Sequence, residues 1–343
     1  MKPCAACGRR PAADRIGLCA DCLRALDDPA KLTAPHRQLR RALDLPEIPP
    51  RTPGGVRCTL DANECIMGEG EWGYCGVRRN LDGRMDTLFP PRTALAYAYR
   101  DPLPTNCCAA WFCAGSREEG YNLAVFFYGC NFDCLYCQNA QHKRVEGAPV
   151  IAEDDLVRRA LRSQVRCVCF FGGSPEPQFP FALRVARRVA AESEYGVHIC
   201  WEWNGAGNPR LVEQAARFSE RTGGTVKFDL KAHHPNVHIA LTGQDNRRVF
   251  ENFARVAGIL TEPDTLTATT LLVPGYVDAV EVGGIARFIA AIDSSIPYSL
   301  LVFHPDFAMR DLPITPKSQV ETCLAAAKKH LERVHVGNIG LLG

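Results

Sequence analysis

From about residue 119 to the end of the chain, short apolar runs rich in β-branched and aromatic residues alternate with helical stretches. The pattern predicts strands at 122–128, 167–171, 197–203, 225–230, 265–273 and 299–303. Helices are predicted at 154–163, 181–192, 210–219, 247–259, 278–292 and 316–331. Six βα units imply an α/β fold with a parallel sheet covered by helices. Glycine or polar motifs follow the strands directly: GCNFDCLYC, GGSPEP, NGAGN, DLKAHH, PGYVD and HPDF. Parallel barrels and open sheets gather their chemistry at the C-terminal ends of strands, so one end of this domain collects all six motifs. A partial, open (βα)6 barrel fits the count better than a closed eight-stranded one.

The chain has 17 cysteines among 343 residues. No apolar run reaches the roughly 18–20 residues of a membrane span, and the start, MKPCAACGRRPAADRIG, lacks the apolar stretch of a secretory signal. The expected setting is the cytoplasm, where clustered thiols serve as metal ligands rather than disulfides. A net charge of +2 argues against nucleic-acid binding by bulk electrostatics. The cysteines fall into four groups: Cys4/Cys7/Cys19/Cys22, Cys58/Cys65/Cys75, Cys107/Cys108/Cys113 and Cys130/Cys134/Cys137. Cys167, Cys169, Cys200 and Cys323 lie in apolar stretches and read as core.

The sequence GCNFDCLYCQN (129–139) spaces Cys130, Cys134 and Cys137 as C-x3-C-x2-C directly after a strand. Three thiolates on a tight loop suit three corners of an iron–sulfur cube, leaving one iron for an exogenous chelator. A zinc knuckle completed by a distant fourth ligand is the alternative.

Several segments in order carry a family resemblance: CGVRRN-x-DG (75–83), GCNFDCLYCQN, FDLKA (228–232), LTGQDNRRVFENF (241–253), LLVPGYVD (271–278) and VHVGNIG (334–340). From about Cys58 onward the chain resembles radical S-adenosylmethionine (SAM) enzymes of the pyruvate formate-lyase-activase type, and more closely the AmmeMemoRadiSam group. The resemblance implies a radical SAM barrel in which Cys130, Cys134 and Cys137 hold a [4Fe–4S] cluster. SAM would chelate the open iron and be cleaved to a 5′-deoxyadenosyl radical by one electron from a donor such as flavodoxin or ferredoxin. It also implies hydrogen abstraction from a protein or peptide, with glycyl-radical activation as one form.

Carried over by motif, FGGSPEP resembles the segment whose backbone meets the SAM amino group, through Gly172, Gly173 and Ser174. The acidic residue usual after the glycines is displaced to Glu176. WEWNG resembles the ribose-binding motif, with Glu202 and Asn204 as contacts. Asp229 and Lys231 alternate at a strand end and face one way, as a SAM-binding pair or as a solvated ion pair. His304 matches a histidine near SAM in the activases.

Residues 1–28 form a zinc-ribbon-like module, with Cys4-x2-Cys7 and Cys19-x2-Cys22 eleven residues apart. Structural Cys4 zinc is the main reading and an auxiliary iron–sulfur cluster the alternative. Residues 29–57 read as a linker with a short helical pattern. Residues 58–118 read as a Cys-rich segment with little periodicity, and 119–343 as the barrel. The related group carries four cysteines spaced C-x2-C-x3-C-x9-C where this chain has Cys58, Asp61, Cys65 and Cys75. With Cys107 and Cys113 these make a second metal site, or else they are buried thiols. Three functions remain open at this point. They are a protein- or peptide-directed radical enzyme, a small-molecule or peptide modifier, and a non-enzymatic zinc adaptor.

Overall fold

The computed structural model describes residues 1–342. Its centre is a sheet of nine strands among the described residues. These are β1 (Thr93–Pro102), β2 (Tyr121–Phe127), β3 (Val150–Ala152), β4 (Val165–Gly172), β5 (His198–Trp203), β6 (Val226–Asp229), β7 (Leu266–Leu272), β8 (Tyr298–Val302) and β9 (Val334–Gly337). Strands β2 and β4 through β9 run parallel, each beside the next in sequence. The helices are α1 (Ala20–Arg24), α2 (Ala34–Arg41), α3 (Glu153–Ala160), α4 (Phe179–Glu192), α5 (Pro209–Thr222), α6 (Pro235–Thr242), α7 (Arg247–Ala257), α8 (Ala279–Ala290) and α9 (Lys317–Lys328). The six predicted strands and six predicted helices are all present, within a few residues at their ends.

Local chemistry sets the boundaries. Asn208 caps α5 by accepting from the Arg210 and Leu211 amides, Pro209 opens the helix, and Gly223 closes it at φ 68°. Along β5 the side chains alternate: Trp201 packs under α5 and donates to the Ala215 carbonyl at 2.9 Å, while Cys200 and Glu202 line the lumen. Phe170 stacks on Trp201 with ring centres 4.5 Å apart, and Trp203 edges onto Phe228 at 5.4 Å. This aromatic layer fixes the strands whose ends carry the site.

Two segments differ from the sequence reading. The Cys-rich segment contributes β1, ten residues of which seven pair antiparallel with β2 and the first three with β3, so the sheet begins well before residue 119. The supposed linker supplies α2, whose His36 and Arg40 are buried against the cysteine loop.

The N-terminal module is a small hairpin, Lys2–Pro3 against Pro11–Ala12, followed by α1. It docks on the face where strands end. The Tyr276 hydroxyl accepts from the Ala13 amide at 2.8 Å and donates to the Leu18 carbonyl at 3.0 Å, while Arg24 binds Asp278 at 2.7 Å and Glu281 at 2.9 Å. The PGYVD motif after β7 thus supplies the ribbon's seat.

Candidate active site

The loop after β2 begins at Gly129, where φ is +77° and a Cβ would come within 2.6 Å of Val77. Cys130 Sγ lies 3.2 Å from the Gly173 carbonyl oxygen and accepts from the Phe132 amide at 3.4 Å. Cys137 Sγ is 3.5 Å from His142 Nε2. All three sulfurs line one cavity of about 920 Å³. Among the described residues the groups whose ligand atoms all lie within 4.8 Å of one another are elsewhere, so the three loop sulfurs are not gathered around a single point. Thiolates that each take a different iron must stand farther apart. Burial pushes Cys134 up to about 12 and raises Cys130 and Cys137 as well, so ligation as thiolates is coupled to proton release.

Asp133, between the first two cysteines, anchors the loop. Its carboxylate is fully buried and contacts Lys143 Nζ at 2.5 Å, His36 Nδ1 at 3.2 Å and Arg40 at 3.5 Å. The other His36 nitrogen meets the Ala240 carbonyl at 3.1 Å. Burial alone would raise the Asp133 pKa, but Lys143, His36 and Arg40 override it and bring it to about 2. The Asp133 and Leu135 amides donate to the Thr242 and Leu241 carbonyls at the end of α6, at 2.8 and 3.0 Å.

The turns after β4 and β5 form the opposite wall. Gly172 has φ +116°, and a Cβ on Gly173 would sit 2.2 Å from the Gly129 oxygen and 2.8 Å from the His142 ring. Neither position can carry a side chain, which leaves backbone exposed to whatever binds. Ser174 is buried away from the cavity: it donates to Glu176 and accepts from Asn204 Nδ2 at 3.0 Å. Asn204 also donates to Asn131 Oδ1 at 2.7 Å, and Glu176 accepts from the Gly205 amide at 2.9 Å. The displaced acid therefore ties the turns after β4 and β5 together, and Asn204 joins them to the cysteine loop.

Burial pushes Glu176 up to about 7 from 4.5, against the pull of its Ser174 and Gly205 hydrogen bonds. A carboxyl raised in the fold keeps a proton that the unfolded chain has released. It costs nothing below about pH 4.5, and the cost grows to roughly 3 kcal/mol as pH climbs past 7. Glu176→Gln mimics the protonated form. Thermal melts at pH 5 and pH 8 should show the variant gaining on the wild type at the higher pH. Parallel pH profiles would mean that Glu176 titrates normally.

Three buried polar atoms without a protein partner point to a missing polar ligand: His142 Nδ1, Asp229 Oδ1 and Thr269 Oγ1. All three belong to residues lining this cavity. Lys231 pairs with Asp229 and lies 5.6 Å from the centre of the Tyr136 ring. Glu202 lines the cavity floor, with its carboxylate 3.6 Å from Lys227 in the lumen below. His304 is outside, half-buried and 3.5 Å from Asp306. The thiols, the glycine cradle and the unpartnered polar atoms together fit an iron–sulfur cluster with an amino-acid-bearing nucleoside.

Residues 124–289 match the sequence model of the radical SAM superfamily. The chain carries a radical SAM domain. An uncharacterized protein of Methanocaldococcus jannaschii is 24% identical to it over 294 residues, covering 83% of this chain and 81% of that one. The Escherichia coli pyruvate formate-lyase 1-activating enzyme is 25% identical over 209 residues, covering 57% and 82%. A domain of a Bacteroides vulgatus pyruvate-formate lyase-activating enzyme superposes with a TM-score of 0.42 at 19% identity, over 50% of this chain and 98% of that one.

The remaining cysteines of this chain sort by position. Cys4, Cys7, Cys19 and Cys22 bring their sulfurs within 4.8 Å of one another, the geometry of a single tetrahedral ion. Cys58, Cys65 and Cys75 are buried near Asp61, whose own pKa burial raises to about 6. Their segment packs on the strand-end turns: the Ala62 amide donates to Ala206 and Asn63 to the Asn131 carbonyl, both at 2.8 Å. Cys107 and Cys113 line a second cavity with Asn122, Cys167 and His198, where β2, β4 and β5 begin. The set of five cysteines read together from the sequence is thus divided between opposite ends of the barrel. His142, Thr269 and Trp203 line the site without having been marked by sequence. Only His142, five residues past Cys137, carried a positional signal.

Proposed function

We propose that this enzyme abstracts a hydrogen atom from a protein or peptide partner, in the manner that the name of its activating-enzyme relative suggests. The observation that carries the reading is the continuity of two cavities. Phe171 and Glu202 line both the cysteine-lined cavity and the lumen beneath it, so a reactive group generated at the first faces the second. When bound, a [4Fe–4S] cluster with SAM supplies a 5′-deoxyadenosyl radical. Cys130, Cys134 and Cys137 hold three irons. The backbone at Gly172 and Gly173 receives the methionine end of SAM, and Asp229 and Lys231 offer it one acid and one cation. Asn204, through Asn131 and Ser174, keeps the cysteine loop and both turns in register. Flavodoxin or ferredoxin supplies the electron.

The ribbon cysteines hold a structural zinc. Cys58, Cys65 and Cys75, with Asp61, form a second metal centre without help from Cys107 or Cys113. A second enzymatic reading, modification of a small molecule, draws on the lumen floor. The segment between β1 and β2 closes it from below, with Trp111 donating to Ser299 at 2.9 Å.

The deciding experiment is anaerobic incubation of reduced enzyme with SAM and candidate partner proteins. The expected result is 5′-deoxyadenosine formed in step with a partner-borne radical seen by EPR, or a mass change in the partner. Turnover stimulated only by small molecules would sink the protein-directed reading, and the absence of 5′-deoxyadenosine under all conditions would sink both.

A further inference from the structure

The lumen cavity, about 780 Å³, contains a second convergence of metal-ligating groups that the hydrogen-abstraction reading does not use. The sulfurs of Cys107 and Cys108 and a carboxylate oxygen of Glu202 lie within 4.8 Å of one another. Cys107 Sγ receives the Ala109 amide at 3.5 Å and the Lys227 ammonium at 3.4 Å, and Lys227 also meets Cys169 Sγ at 3.3 Å. Lys227 is almost completely buried.

We propose that Cys107, Cys108 and Glu202 bind one divalent, thiophilic cation, zinc, in the barrel lumen, with a fourth coordination position open to the cavity. Donors at about 2.3 Å for thiolate and 2.0–2.2 Å for carboxylate must converge to this degree. Charge supports the same occupant. Two thiolates and a carboxylate bring three negative charges to a partly buried place, which is costly unless compensated. A divalent ion and Lys227 bring three positive charges. Without an ion, protons take the metal's place on the thiols. Two donors on Cys107 Sγ, one from backbone and one from lysine, are the hydrogen bonds that hold a metal-bound thiolate in place.

The scaffold is rigid where it must be. The Cys108 carbonyl accepts from Ser299 Oγ at 2.7 Å, pinning the consecutive cysteines to β8. Glu202 and Lys227 come from adjacent strands, paired in register. Three protein ligands and a free position facing a cavity are the arrangement of a reactive zinc site rather than a structural one. The open position suits a thiolate or carbonyl oxygen of a molecule held beneath the cysteine loop. The assignment gives Glu202 to the lumen rather than to the SAM ribose.

The test counts metals in full-length, anaerobically purified wild type and C107S/C108S. The expected result is one zinc per chain lost, with iron content unchanged; ribbon zinc stays in both proteins and cancels. Equal zinc in the two overturns the proposal. Should the double variant lose iron as well, Glu202→Gln decides. It keeps both thiols and the side-chain volume, and is expected to release one zinc to a chelator at least about tenfold faster than wild type, as loss of a ligand or its support does. Release at the wild-type rate overturns the proposal equally.

Discussion

Alanine at Cys130, Cys134 or Cys137 is expected to abolish 5′-deoxyadenosine formation and to remove most of the iron bound at the barrel. Cys130, Cys134 and Cys137 are the only cysteines among the described residues that line this cavity, so no neighbouring thiol stands ready to substitute. Two remaining ligands cannot fix a cube against exchange, and the protein's contribution to this chemistry is placement. The same change at Cys4 or Cys22 should leave SAM cleavage in place, because the ribbon's sulfurs gather around a separate point. Chromatographic detection of 5′-deoxyadenosine, together with iron and sulfide analysis, makes the comparison. Wild-type turnover by any of the three loop variants would remove these residues from the cluster.

Replacing Asp133 with alanine is the second large effect. Lys143 and Arg40 would be left buried with no carboxylate, beside an imidazole that loses one of its acceptors. Breaking a buried ion pair by removing one partner costs about 3–5 kcal/mol, a large part of the 5–15 kcal/mol typical of a folded domain. The loop between Cys130 and Cys134 would lose its anchor, so iron content should fall together with the urea midpoint. The double variant D133N/K143M discards both members of the 2.5 Å pair and should recover part of the loss. A single alanine variant within about 1 kcal/mol of wild type would show that the carboxylate is a bystander.

The parallel strands were legible because β-branched and aromatic runs sit between helical patterns and end on glycine or polar motifs. β1 was not, although TALAYAYRDP alternates with period two. Its small residues are alanines, which carry no strand preference, and it lies among cysteine- and glycine-rich turns. Helix α6 escaped notice because eight residues, PNVHIALT, show almost no amphipathic pattern. In the site, residues at strand ends could be read from position, since spacing after a strand fixes where they go. His36 and Arg40 could not. A charged residue in a short helix looks solvated until its partner, about a hundred positions away in sequence, is placed beside it. Ser174 shows the opposite failure: it stands in the right motif, but its hydroxyl is turned away from the cavity by Glu176 and Asn204.

The anchoring of the cysteine loop also fixes a sequence of events during synthesis. A chain made from its N-terminus presents His36 and Arg40 first and Asp133 some hundred residues later. The carbonyls of Ala240, Leu241 and Thr242, which complete the loop's seat, come last. Contacts so distant in sequence form late. The three thiols therefore emerge from the ribosome long before the pocket that spaces them exists, and iron delivered too early would meet a flexible peptide. Iron–sulfur assembly on this protein is accordingly expected to follow folding, set by the arrival of α6 rather than by the appearance of the cysteines.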